Sequence, residues 1–288
     1  MSSDGTGGTR KPPLPQTGCE PFALGGRVAV VTGGTGLLGR QFCAALLDAG
    51  AEVVVADIDA PGCRRFAEEL TWTGSGRAFG YGVDITRPES LQALRDEVLR
   101  RSGRIDVLVN SAAANDRFDE SAGGEALRFE NYPLAAWERA LQVNLTGTFL
   151  ACQVLGTEMA RRRAGSIINI ASTYGMVAPD QRIYQREDGS QRFWKSASYP
   201  AAKGGVLAFS RFLAAYWADS GVRVNCLSPG GVEQGQEEHF QRAYGARTPL
   251  GRMARPDELR GAVVFLASEA SSYVTGSNLV VDGGWTAW

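Results

Sequence analysis

The sequence predicts an α/β fold in which one domain is built on a doubly wound parallel sheet. Short runs rich in Val, Ile and Ala alternate with longer stretches of helical periodicity along the 288 residues. The short runs are continuously apolar, which is typical of parallel strands that helices cover on both faces. A hydrophobic content of 44% is enough for such a core, and no internal repeat or linker divides the chain. We therefore assign 23–288 to a single domain.

Seven strands and six helices follow from this pattern in order. Apolar and β-branched residues predict strands at 27–32, 51–57, 78–83, 105–110, 166–171, 222–227 and 278–282. Longer amphipathic stretches predict helices at 37–49, 61–70, 88–101 and 134–163, around Tyr199, and at 256–267. Pro88 and Pro256 fit helix starts, because proline is tolerated in the first turn. Right-handed crossovers would bring ligands to the carboxyl ends of the strands.

The overall composition argues against several classes of function. A net charge of −1 provides no basic field for nucleic acid or for an anionic membrane surface. The one histidine, His239, stands among polar residues, and we predict that it is solvated on a mobile flap. A histidine-based metal site or a Ser-His-Asp site is therefore not expected, and we predict no metal.

Cysteine usage and the N-terminus indicate a cytoplasmic protein. The five cysteines are odd in number and form no C-x-x-C pair, which argues against a disulfide framework and favours a reducing compartment. No apolar run reaches the roughly 18 residues of a membrane span. Residues 1–22 lack the apolar core of a signal peptide, and we predict a disordered leader there.

A Gly-rich turn follows the first predicted strand and opens the first helix. It reads Thr32-Gly-Gly-Thr-Gly-Leu-Leu-Gly39. Glycines in such a turn let the backbone approach a pyrophosphate, which then meets the N–H groups of the helix N-terminus. The loop residues predicted to contact a dinucleotide are Gly33, Thr35, Gly36, Leu37, Leu38 and Gly39.

Asp57 ends the second predicted strand and indicates which dinucleotide is used. A carboxylate at that place accepts hydrogen bonds from the adenosine ribose and repels a 2′-phosphate. The loop before it carries no basic residue between Gly34 and Leu38. We therefore predict NAD as the cofactor, in preference to NADP.

Tyr199, Lys203 and Ser172 suggest a site for proton transfer. Tyr199 and Lys203 are four residues apart, so they share one face of a helix, and Ser172 follows a predicted strand. A free tyrosine has a pKa of about 10 and is a poor base at neutral pH, but a nearby lysine cation favours the phenolate. We predict that Tyr199 is the acid/base, that Lys203 lowers its pKa, and that Ser172 holds the substrate oxygen.

This ordered set of motifs resembles the short-chain dehydrogenase/reductase family, from about Gly25 to Gly284. The resemblance implies a Rossmann fold and oxidation or reduction with a nicotinamide cofactor. It makes Asn144 a fourth catalytic residue, whose backbone carbonyl holds a proton-relay water, and it adds a ribose contact for Lys203. It further assigns cofactor contacts to Asp84, Ile85, Asn110, Ser111, Ala112, Tyr199, Lys203, Pro229, Gly230 and Val232.

Several positions depart from the usual motifs of the single-domain branch of that family, among them Ser111 and Ala113, which replace residues of the usual N-N-A-G. Leu37 stands at the usual middle glycine, so that Gly33, Gly36 and Gly39 give a spacing similar to that of the extended branch. That branch handles nucleotide sugars. Gln234 stands where a threonine is usual beside the nicotinamide carboxamide.

The long segment between Ser172 and Tyr199 is the part of the sequence that bears on the substrate. These residues are 27 positions apart (199 − 172), roughly twice the separation usual in the family. We predict an inserted substrate loop at about 176–198, with a surface hairpin or a subunit contact as the alternative, because long ordered loops tend to be functional. The segment resembles a subgroup of flagellin-modification and acidic-sugar biosynthesis proteins. That resemblance implies a polar, sugar-like substrate, such as a nucleotide sugar, amino sugar or cyclitol.

Several functions remain open at this point. The leading one is oxidation of a secondary alcohol, or reduction of its ketone. The alternatives are an epimerase or dehydratase that recycles its NAD, a reductase of a generic ketone or 3-oxoacyl compound, and a non-catalytic NAD-sensing regulator. Family likeness also predicts a homotetramer. The apolar residues assigned to its contacts are Phe149, Leu150, Val154, Phe209, Phe212, Trp217, Trp285 and Trp288.

Overall fold

A computed structural model describes residues 20–73, 76–114 and 125–288 of the chain. Most of the predicted leader, 1–22, lies outside these ranges, and Glu20–Phe22 form one turn of 3-10 helix. Within the described ranges the chain forms one continuous sheet with helices on both of its faces.

The sheet has seven strands, and all six neighbouring pairs are parallel. The spatial order is β3-β2-β1-β4-β5-β6-β7. The strands are β1 Val28–Thr32, β2 Glu52–Asp57, β3 Ala78–Gly82, β4 Val107–Asn110, β5 Gly165–Ile170, β6 Val222–Pro229 and β7 Asn278–Val281. The predicted fold class is confirmed.

The helices match the predicted ones to within a few residues, except that the long fourth helix is interrupted and that α8 was not predicted. They are α1 Leu37–Asp48, α2 Ala60–Thr73, α3 Pro88–Ser102, α4 Leu134–Leu141, α5 Thr148–Ala151, α6 Thr157–Arg162, α7 Ser198–Tyr216, α8 Glu238–Ala246 and α9 Arg260–Ala267. Two π-helical turns, Gln142–Gly147 and Cys152–Gly156, separate α4, α5 and α6. The first of them contains Asn144, and π turns are frequent at functional sites.

Two apolar layers hold the helices against the sheet. One layer joins β1 and β2 to α1, α2 and α9 through side chains such as Phe42, Phe66 and Leu266. The other joins the opposite face to α3, the α4–α6 segment and the end of α7, through Leu94, Leu155 and Leu213 among others. Because both faces are covered, the central strands are apolar along their whole length, as β1 shows with five buried residues.

The strand order reverses between β1 and β4, and this reversal positions the site. The chain runs from β1 outward to β2 and β3, and then returns to place β4 on the other side of β1. The connections on the two sides therefore diverge above the carboxyl ends of β1 and β4. In doubly wound sheets a crevice opens at such a point, and ligands bind there.

The segment between β5 and α7 is ordered and compact. It contains a 3-10 turn, Gln181–Tyr184, and a short hairpin in which Gln185 bridges Gln191. Gly189 turns that hairpin with a φ of +81°. The predicted insertion at 176–198 therefore has a definite conformation beside the start of α7.

The apolar residues assigned to subunit contacts differ in how far they are buried. The assignment was wrong for three of them, because they pack inside the chain: Val154, Trp217 and Trp285 are buried. Trp285 stacks on Tyr244 with ring centroids 4.2 Å apart. Of the others, Leu150 and Phe209 are half-buried, whereas Phe149, Phe212 and Trp288 are exposed.

Candidate active site

A large cavity runs along the carboxyl ends of the strands at the reversal point. Its volume is about 1130 Å³, above the range of about 300–1,000 Å³ typical of small-molecule pockets. One half is walled by the turn after β1 and by the ends of β2 and β3, and the other by the segment after β5, the start of α7, and α8. All predicted site residues except Asn110 and Asn144 line it. The cavity has room for a dinucleotide and a second, smaller ligand.

The Gly-rich turn forms a cradle that only glycine permits. Gly33 has a φ of +67°, and a Cβ at this position would stand 2.6 Å from Cα of Ala112. A Cβ on Gly39 would overlap the carbonyl oxygen of Gly33. Helix α1 begins at Leu37 after the extended residue Gly36, and no side chain caps its first N–H groups. The turn therefore fits a pyrophosphate, with Gly36 rather than residue 37 as the close-approach glycine.

Asp57 stands at the end of β2 and lines the same half of the cavity. Its Oδ2 accepts hydrogen bonds from the backbone N–H of Thr35, at 3.1 Å, and from the Thr35 hydroxyl, at 2.6 Å. The carboxylate thus braces the cradle from the side. Ile58, the next residue, exposes 76% of its surface at the cavity wall. A carboxylate followed by an exposed apolar side chain suits a ribose with its adenine.

The ends of β3 and β4 complete this half of the wall. Asp84 Oδ1 accepts hydrogen bonds from the backbone N–H and the hydroxyl of Thr86, at 2.9 and 2.6 Å. These bonds shape the turn that brings Ile85 to the cavity, opposite Ser111 and Ala112. Four residues predicted to contact the cofactor therefore lie together on this wall, namely Asp84, Ile85, Ser111 and Ala112.

Asn110 does not line the cavity, and its side chain is buried beneath the cavity wall. Its amide is buried between strands, where Nδ2 donates to Oδ1 of Asn169 at 2.8 Å. Asn169 in turn donates to the hydroxyl of Ser210 on α7 at 2.8 Å. Oδ1 of Asn110 is buried and has no hydrogen-bond partner among the described residues. The amide ties β4 to β5 because its side chain points into the layer, away from the cavity.

Ser172, Tyr199 and Lys203 meet where the two halves of the cavity join. Ser172 follows β5, and its Oγ accepts the backbone N–H of Tyr174 at 3.2 Å while also hydrogen bonding to Tyr199. Tyr199 is the second residue of α7, and Lys203 follows it one turn later. Nζ of Lys203 donates to the carbonyl oxygen of Ile170 at 2.7 Å. Strand end and helix start therefore hold all three side chains.

Burial dominates the titration of this group. Burial raises the pKa of Tyr199 above its ordinary value, and the hydrogen bond with Ser172 lowers it in part. Burial also lowers the pKa of Lys203 to about 8, with a further lowering from the nearby charge of Lys195. Nζ of Lys203 lies 5.8 Å from the Tyr199 ring centroid.

Asn144 lies behind the cavity wall. Its side chain accepts the backbone N–H of Ala114 at 2.7 Å and donates to the Ala114 carbonyl at 2.9 Å. Its own backbone carbonyl accepts the Thr148 hydroxyl at 3.1 Å. Val143, the preceding residue, lines the cavity in its place. The side chain of Asn144 therefore fastens the chain after β4 to the π turn.

The insertion walls the other half of the cavity with cations and aromatic rings. Arg186, Arg192 and Lys195 all line it. Arg186 pairs with Glu237, at 2.8 Å. The Tyr184 ring packs between Phe193 and Phe240, with centroids 4.9 and 5.1 Å away. This half presents polar groups to the cavity and is packed with aromatic rings beneath them.

His239 is less exposed than the solvated surface residue that the sequence predicted. It belongs to helix α8, lines the cavity, and exposes only 21% of its side chain. Nδ1 lies 3.2 Å from a carboxylate oxygen of Glu237. The helix packs against the insertion, and this contact brings the histidine inward.

Sequence reasoning missed several residues of the substrate-side wall. Lys195 lies within the insertion that the long spacing indicated, four residues before Tyr199, but no motif singled it out. Helix α8 contributes Phe240 and Tyr244, and the following segment contributes Met253. Nothing local in the sequence marks these residues, since only the packing of α8 on the insertion brings them to the cavity.

Within the described ranges, no three His, Cys, Asp or Glu side chains come together in a way that could hold a metal ion. The four cysteines in that part of the chain, Cys43, Cys63, Cys152 and Cys226, are buried and unbonded. No helix of the described residues combines the length and apolar character needed to cross a membrane.

Comparison with known proteins connects the fold and the cavity to one family. A family model described as enoyl-(acyl carrier protein) reductase matches residues 36–286. D-threitol dehydrogenase of Mycolicibacterium smegmatis is 36% identical over 270 residues, which cover 92% of this chain and 95% of that protein. Galactitol 2-dehydrogenase (L-tagatose-forming) of Cereibacter sphaeroides is 34% identical over 273 residues, which cover 93% and 98%.

A solved structure extends the likeness to three dimensions. It is a gluconate 5-dehydrogenase from Burkholderia cenocepacia in complex with NADP and tartrate, with a TM-score of 0.80 and 30% identity. The superposition covers 94% of this chain and 100% of that one. These likenesses span the sheet and both halves of the cavity, and the chain belongs to the short-chain dehydrogenase/reductase family of oxidoreductases.

Proposed function

We propose that the protein interconverts a secondary alcohol and a ketone on a polyhydroxylated, sugar-like substrate, with NAD as its cofactor. The observation that carries the proposal is the meeting of Ser172, Tyr199 and Lys203 at the junction of the two cavity halves. A cofactor in the cradle half and a substrate in the insertion half would both reach that junction. The relatives, which are dehydrogenases of hydroxylated compounds, support the reaction class.

The cradle half fits a nicotinamide dinucleotide. When bound, that cofactor supplies the hydride acceptor for oxidation or the hydride donor for reduction. Gly33, Gly36 and Gly39 and the start of α1 would hold its pyrophosphate. Asp57 would accept hydrogen bonds from the adenosine ribose, and Lys203 would donate to the ribose beside the nicotinamide.

The protein's own task in the reaction is to move a proton. In reduction, the Tyr199 hydroxyl would donate its proton to the substrate carbonyl, and in oxidation the phenolate would take it back. The Ser172 hydroxyl would hydrogen-bond the same substrate oxygen and stabilise its developing charge. Because burial keeps the Tyr199 pKa high, the phenol is ready to act as an acid near neutral pH. Oxidation needs nearby positive charge to favour the phenolate.

The preference for NAD over NADP follows from Asp57. A 2′-phosphate on the adenosine ribose would lie against this carboxylate, and like charges at close range repel. Between Gly33 and Ile58, the residues that line the cavity include no cation that could compensate. The gluconate 5-dehydrogenase structure contains NADP. The preference of this chain for NAD over NADP therefore has to be measured directly.

The class of substrate follows from the wall that the insertion and α8 build. Arg192, Lys195, Gln234, Gln236 and His239 present hydrogen-bonding groups to the cavity. Such groups suit a chain or ring of hydroxylated carbons better than an apolar acyl tail, which cannot form hydrogen bonds with them. Threitol, galactitol and gluconate, named for the relatives, are molecules of this kind.

A second candidate is an epimerase or dehydratase that recycles its NAD, because the G-x-x-G-x-x-G spacing is similar to that of enzymes acting on nucleotide sugars. The two reactions differ in stoichiometry. A dehydrogenase releases one NADH for each substrate molecule oxidised, whereas a recycling enzyme consumes substrate without accumulating NADH. A purely regulatory role would show NAD binding without turnover.

The test is a screen of purified protein with NAD and with NADP. The panel contains tetritols, hexitols, aldonates, cyclitols and UDP-sugars, with a 3-oxoacyl thioester as the acyl comparison. We expect NADH formation with a polyol, aldonate or cyclitol, and its loss in Tyr199→Phe. Turnover of the thioester alone would refute the substrate class, and substrate loss without NADH would favour the recycling reaction.

A further inference from the structure

A second lysine lies closer to the Tyr199 ring than Lys203 does. Lys195 belongs to the insertion and lines the cavity. Its Nζ stands over the Tyr199 ring, 3.9 Å from the ring centroid. Nζ of Lys203 is 5.8 Å from the same centroid and is anchored on the Ile170 carbonyl.

The main chain holds Lys195 in this place. Its backbone N–H donates to Oε1 of Gln181 at 3.0 Å, and its carbonyl accepts Nε2 of Gln181 at 2.8 Å. One amide side chain therefore clamps both sides of the Lys195 peptide unit. Gln181 begins the 3-10 turn that packs Ile183 and Tyr184 beneath the cavity wall. These hydrogen bonds therefore fix the backbone of Lys195 within the insertion.

A cation over an aromatic face is attracted by the electrons of the ring, and the attraction grows when the pair is shielded from water. It grows further when the ring carries negative charge, because a phenolate spreads that charge over the ring. A lysine over the face of Tyr199 therefore stabilises the deprotonated tyrosine more than the protonated one. The residue is also close enough to Lys203 to lower the pKa of that amine.

We propose that Lys195 is a positioning cation for the proton-transfer tyrosine, which stabilises the Tyr199 phenolate from the ring face while Lys203 is held on the β5 backbone. This inference rests on the proposed role of Tyr199. It assigns a chemical task to the insertion between Ser172 and Tyr199, beyond shaping the substrate pocket. The substrate loop and the proton-transfer group are then one unit.

The other groups near the ring do not supply this charge. Ser172, Tyr174 and Tyr184 are neutral, and burial raises the pKa of Tyr184 to about 12. Arg186 is paired with Glu237, which also lies beside His239. Arg192, on the same segment, is exposed in the outer wall.

The sign of the pH effect follows from the geometry. Removing Lys195 withdraws the cation nearest to the ring, so the Tyr199 pKa rises. The same change ends the repulsion of Lys203, which then stays protonated to higher pH and offsets part of the rise. The direct effect wins because Lys195 stands at 3.9 Å and Lys203 at 5.8 Å from the ring centroid. We expect a net rise of about one pH unit, a value typical of a shielded cation–ring contact.

The experiment measures the Tyr199 pKa directly. Protein labelled with ¹³C at the tyrosine Cζ is titrated by NMR, and the Tyr199 signal is identified by its absence in Tyr199→Phe. Three variants are compared with wild type: Lys195→Met, Lys195→Arg, and Arg182→Gln as the control. Arg182 is an exposed cation of the same insertion that pairs with Asp180 and does not line the cavity. The pH profile of alcohol oxidation is recorded in parallel, with the best substrate of the panel.

We expect Lys195→Met to raise the Tyr199 pKa and to slow oxidation at pH 7 by about tenfold. Lys195→Arg keeps a cation at this position, so the Tyr199 pKa and the oxidation rate should stay close to those of wild type. Arg182→Gln should also leave the Tyr199 pKa and the oxidation rate unchanged. An unchanged Tyr199 pKa in Lys195→Met would overturn the proposal, as would equal loss in the Met and Arg variants. If Tyr199→Phe retained full turnover, the proposed function itself would fail, which is a different outcome.

Discussion

Replacing Tyr199 by phenylalanine removes one oxygen atom from the cavity and keeps the aromatic ring. The lost hydroxyl gives up its hydrogen bond with Ser172, whose Oγ still accepts the N–H of Tyr174. One such hydrogen bond contributes about 0.5–1.5 kcal/mol to the free energy of unfolding. The phenylalanine ring still offers a face to Lys195. We therefore expect a folded protein whose melting temperature changes by no more than a few degrees.

The effect on turnover should be much larger. A positioned acid or base contributes about 10²–10⁴-fold to a proton-transfer step, which is about 2.7–5.5 kcal/mol of transition-state stabilisation. The cradle and Asp57 are unchanged in Tyr199→Phe, so the NAD dissociation constant should stay close to that of wild type. NADH formation with the best panel substrate gives kcat, and titration calorimetry gives the affinity for NAD.

Tyr216→Phe is a matched control, because it makes the same chemical change at the exposed end of the same helix. We expect it to retain wild-type turnover. If Tyr199→Phe lost NAD binding and turnover to the same extent, Tyr199 would be a structural residue. If it retained turnover, another group would have to move the proton.

Three further predictions follow from the site and the surface. Asp57→Ala should narrow the preference for NAD, because it removes the charge that repels a 2′-phosphate; faster wild-type turnover with NADP at equal concentrations would contradict this. Lys203→Met should weaken NAD binding, measured by calorimetry, yet stabilise the cofactor-free protein at pH 7, since a buried cation is removed. Burial lowers the pKa of Lys203 from an ordinary 10.5 to about 8. Between pH 8 and pH 10.5 the unfolded state therefore binds more protons than the folded state. In this range the free energy of unfolding of wild type increases as the pH rises. The stability advantage of Lys203→Met in denaturant melts should therefore shrink from pH 8 to 10.5, and a constant difference would show that Lys203 titrates normally. Phe212, Tyr216 and Trp288 expose 61%, 69% and 82% of their surface, and a homotetramer would cover such patches. Light scattering at micromolar concentration should give four times the chain mass of 30.8 kDa, and a monomer mass would refute the assembly.

A polar network beneath the cavity holds the side chains of two predicted site residues away from it. Asn110 and Asn144 each follow the chain order expected of the family, yet their side chains bind Asn169 and Ala114 inside the protein. A motif specifies which residue stands at the end of a strand or on a helix. It does not specify which way the amide points, since that depends on partners brought from other strands.

The sequence by itself determined the features that depend on local geometry. Runs of β-branched residues predicted the strands of a parallel sheet, and seven were found. The glycines at 33 and 39 could be recognised because a positive φ and a close backbone approach exclude other residues. Ser172, Tyr199 and Lys203 could be placed together because a strand end and a four-residue helix spacing fix their positions within one connection.

The tertiary structure decided what depends on contacts between distant segments. Helix α8 packs on the insertion through the pair of Arg186 with Glu237, 51 residues apart, and this contact brings His239 to the cavity. The clamp of Gln181 on Lys195 and the burial of Lys203 set the electrostatics around Tyr199. Burial and charge at a site are sums over all neighbours in space, and only the packed fold specifies those neighbours.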